Sequence, residues 1–291
     1  MSASDTAVRT TAADWIAAGR RATVVTVRNH RGSVPRETGA RMIVAHDNAS
    51  DAVAGSVGGG HLEWQAIAHA RSGRREPWAV ALGPSLGQCC GGAVTLAFAP
   101  LDAAALADWP TPEPCFFLQL YGAGHVGRAI VRALADIECR VRWVDERADA
   151  FPPGAVQRSG AHPGSVEAVV ADPIEAEVDA APEGACHLIL THSHDLDLRL
   201  TGAVLHRRAG DARWIGLIGS ATKRARFEHR LTERGLSTEV LARLVCPIGL
   251  AGVGSKAPAE IAVAVVAQLL ALPAAGSRPA QVAGPSGGIR A

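Results

Sequence analysis

Residues 116–145 read FFLQLYGAGHVGRAIVRALADIECRVRWVD: an apolar strand, a glycine turn, a helix and a second strand that ends in an acid. In a dinucleotide-binding unit the first glycine, Gly122, makes the tight turn. The second, Gly124, admits a phosphate to backbone N–H groups, and the third, Gly127, lets helix pack against strand. His125 stands between them at the start of the helix. Asp145 follows at the usual separation of about 20 residues, where a carboxylate accepts hydrogen bonds from a ribose-type diol. A bare G-x-G-x-x-G is a weak signal; here the strand before it and the helix after it supply the context.

Downstream, Val166–Val170 reads as a short strand, Leu188–Leu190 as a buried strand, Trp214–Ile218 as an apolar strand and Ala259–Leu272 as a helix. The alternation predicts an α/β fold: a C-terminal Rossmann-like, doubly wound parallel sheet over residues 115–273. Upstream, the β-branched run Thr23–Val27, a strand Met42–Ala45, a glycine-opened helix and two strands at Trp78–Leu82 and Ala93–Ala99 predict a smaller N-terminal α/β domain over residues 1–101. Prolines 110, 112 and 114 mark residues 102–114 as a stiff linker. Residues 274–291, rich in Pro, Gly, Ser and Ala, lack the apolar content to order themselves.

The composition narrows the function classes. At 291 residues, 48% hydrophobic and a net charge of +1, the chain is globular in character and carries no global field for nucleic acid or an acidic membrane surface. The longest apolar segment, Ile261–Leu272, is too short to span a bilayer, and the N-terminus lacks the apolar core of a signal peptide. These features predict a cytoplasmic protein with neither a membrane nor a nucleic-acid partner. Six cysteines in so long a chain are thiols of a reducing compartment, not a disulfide framework.

Four further groups of residues carry candidate chemistry. The loop Arg28–Arg41 gathers Arg28, Arg31, Arg36 and Arg41 around Gly32, Pro35 and Gly39, offering guanidinium donors for phosphate or carboxylate unless its arginines are simply solvated. Gly58, Gly59 and Gly60 open a helix whose first turn holds His61 and Glu63, a backbone arrangement that suits an anion or else serves as a crowded turn. Cys89 and Cys90 adjoin in a Gly/Pro loop; such a pair holds a soft metal, carries a sulfur species or cycles as a redox pair, and all three remain open.

The fourth group lies at strand-to-helix junctions. Thr191–Asp197, THSHDLD, leaves a predicted strand end and places His192, His194, Asp195 and Asp197 where open α/β sheets bind ligands. Its spacing departs from a metal-hydrolase H-x-H-x-D-H, and helix capping by either aspartate is the plainer account. Lys223 and Lys256, the two lysines of the chain, each follow a Gly-Ser step, with Ser220 ahead of Lys223. A lysine in a helix's first turn is unfavourable unless an anion offsets it. No P-loop is present.

Taken in order, GSVPRETGARMIV, GSVGGGHLE, LGQCCGG, LYGAGHVG, THSHDLDL, WIGLIGSATKR and CPIGLAGVGSKAPAEIA resemble the XdhC/CoxI family, accessory proteins of molybdenum hydroxylases, across residues 12–272. The resemblance implies a chaperone, not a catalyst. Such a protein binds molybdenum cofactor (molybdopterin), assists its sulfuration with a cysteine desulfurase and inserts it into xanthine dehydrogenase, through that enzyme's molybdenum subunit. Under this reading Arg36, the glycine turns, His61, His125, Asp145, His192, His194, Ser220, Lys223 and Lys256 contribute to cofactor binding, with Cys89 or Cys90 touching molybdenum or sulfur. Ala257 departs from the family, which more often has Ser or Thr there, so a side-chain helix cap is lost. The competing reading is an NAD(P)-dependent oxidoreductase with His192 and His194 as an acid/base pair. Exposed sheet edges make a homodimer the expected assembly.

Overall fold

The computed structural model describes residues 5–47, 52–83, 91–110, 113–153 and 165–273. The chain divides into two units, one made mainly of Met1–Pro114 and the other mainly of residues 115–291.

In the first unit the strands are β1 (Ala22–Arg31), β2 (Arg41–Ala45), β3 (Val53–Gly55), β4 (Trp78–Ala81) and β5 (Ala93–Pro100). They form an antiparallel sheet in the order β3-β2-β1-β5-β4. Side chains alternate across a strand, and both faces are apolar here. Val25, Val27, Met42 and Val44 pack under helix α2 (Gly60–Arg71), whereas Val24, Ile43 and Ala45 pack with Val8, Ala12 and Trp15 of helix α1 (Asp5–Ala17). The result is a small three-layer α/β unit.

Two sequence expectations change in this unit. β1 runs through Arg31, so Arg28 and Arg31 belong to a strand and the arginine loop shrinks to residues 32–40. A bulge between Val27 and Asn29 lets the strand continue past the end of its apolar run. Residues 103–107, placed in a stiff linker, form a short helix α3 (Ala103–Ala107), because Asp102 caps it by accepting from Ala105 N at 2.7 Å before the prolines begin. The tail 274–291 lies outside the described residues.

The second unit contains β6 (Phe117–Tyr121), α4 (His125–Ala133), β7 (Arg140–Asp145), β8 (Ser165–Val170), β9 (Cys186–Ile189), α5 (His194–Arg208), β10 (Trp214–Leu217), α6 (Ala221–Glu233), α7 (Thr238–Leu241), β11 (Leu244–Val245) and α8 (Pro258–Leu270). Its six strands lie in the order β11-β10-β9-β6-β7-β8, and the β6–β7, β6–β9, β9–β10 and β10–β11 pairs are parallel. Numbered from its own first strand this is 3-2-1-4-5-6 reversed end to end, the dinucleotide-binding topology, with its switch point between β6 and β9. On one face Tyr121, Val144, Ile189, Ile215 and Leu217 pack beneath α5, α6 and α7. α4 and α8 pack against each other. Among the described residues no helix is long and apolar enough to cross a membrane.

Candidate functional site

The turn after β6 explains its glycines one by one. Gly122 has φ +119°, and a Cβ there would fall 2.3 Å from Leu190 O; a Cβ on Gly127 would fall 2.2 Å from Gly122 O. Both positions are closed to any side chain. Gly124, the cap of α4, has open space where its Cβ would be, and it and His125 are exposed. The middle glycine therefore leaves the helix N-terminus accessible rather than relieving a clash.

Asp145 ends β7 as expected but faces inward, 2% exposed. Its Oδ2 accepts from Ala123 N at 2.7 Å and Arg147 Nη2 at 3.0 Å, and its Oδ1 accepts from Arg147 N and Nε, both at 3.0 Å. Burial opposes the charge, yet these donors hold the carboxyl below its ordinary range. The diol-accepting role read from the sequence is corrected here: with about four lone-pair sites, this carboxylate is saturated by the chain itself. Its neighbour Glu146 is half-buried, and its Oε1 lies 3.5 Å from His192 Nε2.

A cleft of about 340 Å³ lies beyond the carboxyl ends of β9 and β10 and is lined by Thr191, His192, Ser193, His194, Asp197, Ile218, Gly219, Ser220 and Lys223. Two long helices begin at it. Ser193 caps α5 by accepting from Leu196 N, and Ser220 caps α6 by accepting from Lys223 N. Each N-terminus carries positive partial charge toward the cleft.

Lys223 does not project into the cleft as a lone cation. Its Nζ donates to Asp197 Oδ2 at 2.6 Å and to Ile218 O at 2.8 Å. Asp197 Oδ1 accepts in turn from Thr191 N at 2.9 Å and Thr191 Oγ1 at 2.7 Å. The anion that a first-turn lysine requires is thus supplied by the chain. With that pair mutually neutralised, the cleft's described lining still presents the two helix termini and the exposed His192 and His194.

A second constellation forms within the N-terminal unit. A Cβ on Gly58 would fall 2.6 Å from Pro35 Cγ, and one on Gly92 would fall 2.3 Å from Ser33 O. The arginine loop with Arg36, the triple-glycine turn and the base of the loop between β4 and β5 therefore meet. Cys89 and Cys90, on that last loop, lie outside the described residues. The anion-cradle reading of Gly58–Gly60 also needs correction, because Glu63 fills the turn. Its Oε2 accepts from Ser56 Oγ at 2.7 Å, Gly59 N at 3.0 Å and Val57 N at 3.2 Å. His61 lies 2.8 Å from Gln65 Nε2 and stacks on Trp64 at 5.6 Å.

Lys256 is exposed on the loop before α8 and does not line the cleft of Lys223. Ala257 gives α8 no side-chain cap, and Ser255 Oγ accepts from Ala257 N at 3.0 Å. Among the described residues no three His, Cys, Asp or Glu side chains gather as metal ligands. Sequence reasoning missed Glu146 and Thr191; the run Asp145-Glu146-Arg147 at a strand end was the available signal.

Fold and cleft together define a Rossmann-type protein, with a small antiparallel α/β unit earlier in the chain and a crevice at its strand ends where two helices begin. Model matching places it further: residues 118–269 match the XdhC Rossmann domain and residues 15–77 match the XdhC and CoxI family. The chain belongs to the XdhC family. It is 28% identical over 254 residues to the uncharacterized protein YqeB of Escherichia coli K12, an alignment covering 82% of this chain and 41% of that one. It thus spans about two fifths of that relative's length. A crystal structure from Bacillus halodurans, described as a xanthine dehydrogenase, shares the fold with a TM-score of 0.70 at 19% identity, over 94% of this chain and 96% of that one.

Proposed function

We propose that this chain is an accessory protein that binds molybdenum cofactor, supports its sulfuration with a cysteine desulfurase and delivers it to the molybdenum subunit of xanthine dehydrogenase. The observation that carries the reading is the cleft at the ends of β9 and β10. In a chain of the XdhC family, it offers an anion two helix N-termini while its one buried acid, Asp197, is already paired with Lys223.

Molybdopterin brings a phosphate, a polar ring edge and a dithiolene-held metal, and the donor set suits the first two. The backbone at His194 and Ser220 would hold the phosphate, and His192 would face the ring. Within the N-terminal unit, taken by itself, Arg36 would offer an anion a cation, and Cys89 or Cys90 would offer molybdenum or transferred sulfur a soft contact. When bound, the cofactor supplies the sulfido-ligated molybdenum centre; the chain's residues bind, orient and release it. The name carried by the Bacillus halodurans structure supports a place in xanthine dehydrogenase biology. The saturation of Asp145 weighs against the nicotinamide reading, which needs that acid for a ribose.

The test is retention. Protein expressed in a cofactor-producing host is assayed for molybdenum and for oxidised pterin fluorescence, alongside a Cys89→Ser/Cys90→Ser double variant. The account expects both signals in the parent and loss of molybdenum or of sulfur transfer in the variant. Turnover of NAD(P)H without a pterin would replace it with the oxidoreductase reading.

A further inference from the structure

Asp145 ends β7, Glu146 directly follows it, and Asp197 lies in the first turn of α5 after β9; Asp145 and Asp197 have little acceptor capacity left. Asp145 takes four hydrogen bonds from Ala123 and Arg147, and Asp197 takes three from Thr191 and Lys223. Glu146 receives none of those donors. It directly follows β7, its side chain is 29% exposed, and its Oε1 lies 3.5 Å from His192 Nε2, beyond an ordinary hydrogen bond. His192 is part of the cleft wall. Glu146 thereby stands at the cleft's edge toward β7, on the side where the strand order reverses and open α/β sheets take their ligands.

We propose that Glu146 selects the ring of the ligand. Its carboxylate accepts two parallel hydrogen bonds from a ring edge that carries an N–H beside an amino group, the edge shared by pterin and guanine. The N-termini of α5 and α6 meanwhile take the ligand's phosphate. The physical basis is donor counting: an ionised carboxylate is acceptor-only and can receive two donors side by side, one on each oxygen. An adenine ring places an acceptor at that edge, and a hypoxanthine ring keeps one donor of the two. A polar group of the site left without its partner costs more than a missing contact, so the wrong ring is rejected rather than merely held less tightly. This inference rests on the reading that the cleft binds a pterin phosphate, and it assigns the residue that would recognise the ring.

The experiment is calorimetric titration of the full chain, freed of cofactor, with GMP, IMP, AMP and inorganic phosphate, for the parent, Glu146→Gln and Glu146→Asp. The expected order for the parent is GMP, then IMP, then AMP. Glu146→Gln lowers GMP affinity by about tenfold or more and leaves AMP and phosphate unchanged, while Glu146→Asp falls between because its reach is shorter. Unchanged melting temperatures show that the variants fold. Equal binding of GMP and AMP, no GMP binding at millimolar concentration, or GMP affinity indifferent to Glu146→Gln overturns the proposal. The two readings fail separately. Glu146-dependent GMP selectivity in a protein that never retains molybdenum cofactor removes the cofactor reading and keeps this one; cofactor retention untouched by Glu146→Gln does the reverse.

Discussion

Lys223 Nζ lies 2.6 Å from Asp197 Oδ2, and the contact ties the first turn of α6 to the first turn of α5 across the floor of the cleft. Both side chains are nearly enclosed, at 12% and 3% exposure, so neither charge is held by bulk water. The pair fixes the spacing of the two helix N-termini that, in the proposed function, would hold the ligand's phosphate.

Removing the cation leaves the buried acid with Thr191 as its hydrogen-bond donor. Lys223→Met is expected to destabilise the unit by about 3 kcal/mol, and Asp197→Asn by less, because an amide oxygen can still accept from Thr191. Urea denaturation of the two single variants and the double variant measures this. The double variant is expected to lose clearly less than the sum, since the pair couples directly.

The three glycines of the β6–α4 turn separate by role. Gly122→Ala and Gly127→Ala drive a Cβ to within 2.3 Å and 2.2 Å of carbonyl oxygens, and each is expected to lower stability by about 3 kcal/mol or prevent folding. Gly124→Ala meets open space and changes stability by at most about 1 kcal/mol, the cost of a poorer cap. Thermal melts of the three variants give the ranking; equal losses at all three would show that the turn packs differently.

His187 sets an acid limit. It is fully buried beneath α5, with Nδ1 3.2 Å from Tyr121 Oη, and burial pulls its pKa down from 6.5 to about 4. Between those values the unfolded chain takes up a proton that the folded chain refuses, so stability is full above pH 6.5 and falls as pH drops toward 4. The loss is on the order of 3 kcal/mol. Asp145, whose pKa is also lowered, contributes in the same direction but below the ordinary carboxylate range, so the two windows separate. Urea midpoints at pH 7 and pH 4.5 are expected to fall more steeply in the parent than in His187→Asn; parallel falls would remove His187 from the account.

Glu63 is the internal anion of the triple-glycine turn. Glu63→Ala strips Val57 N, Gly59 N and Ser56 Oγ of their acceptor and is expected to cost about 2 kcal/mol, with Glu63→Gln recovering part of it. Thermal unfolding of the two variants reads the difference, and an unshifted Glu63→Ala melt would contradict the assignment.

The fold was legible because its signals are local. The 116–145 pattern contains a whole βαβ unit, and the β-branched runs of the N-terminal unit alternate between two buried faces, visible as Val24 against Val25 and Ile43 against Met42. Short elements escaped: β3 and β11 have three and two residues, too few for any periodicity. The site was legible as a set of places but not as a set of roles. Whether a carboxylate at a strand end is open depends on what reaches it. Asp145 is closed by a residue two positions on, Asp197 by one 26 positions away and Glu63 by the turn before its own helix. Nothing in residue type or spacing distinguishes those three from Glu146, whose carboxylate is turned toward His192.

Delivery is the central claim, and reconstitution tests it most directly. The protein is loaded with molybdenum cofactor and mixed with cofactor-free xanthine dehydrogenase, with and without a cysteine desulfurase and its sulfur donor, and hydroxylation of xanthine is followed. The account predicts activity that depends on both the loaded protein and the sulfur source, and that falls when Lys223→Met disturbs the cleft. Activation equal to that given by free cofactor alone, or no activation at all, would contradict it.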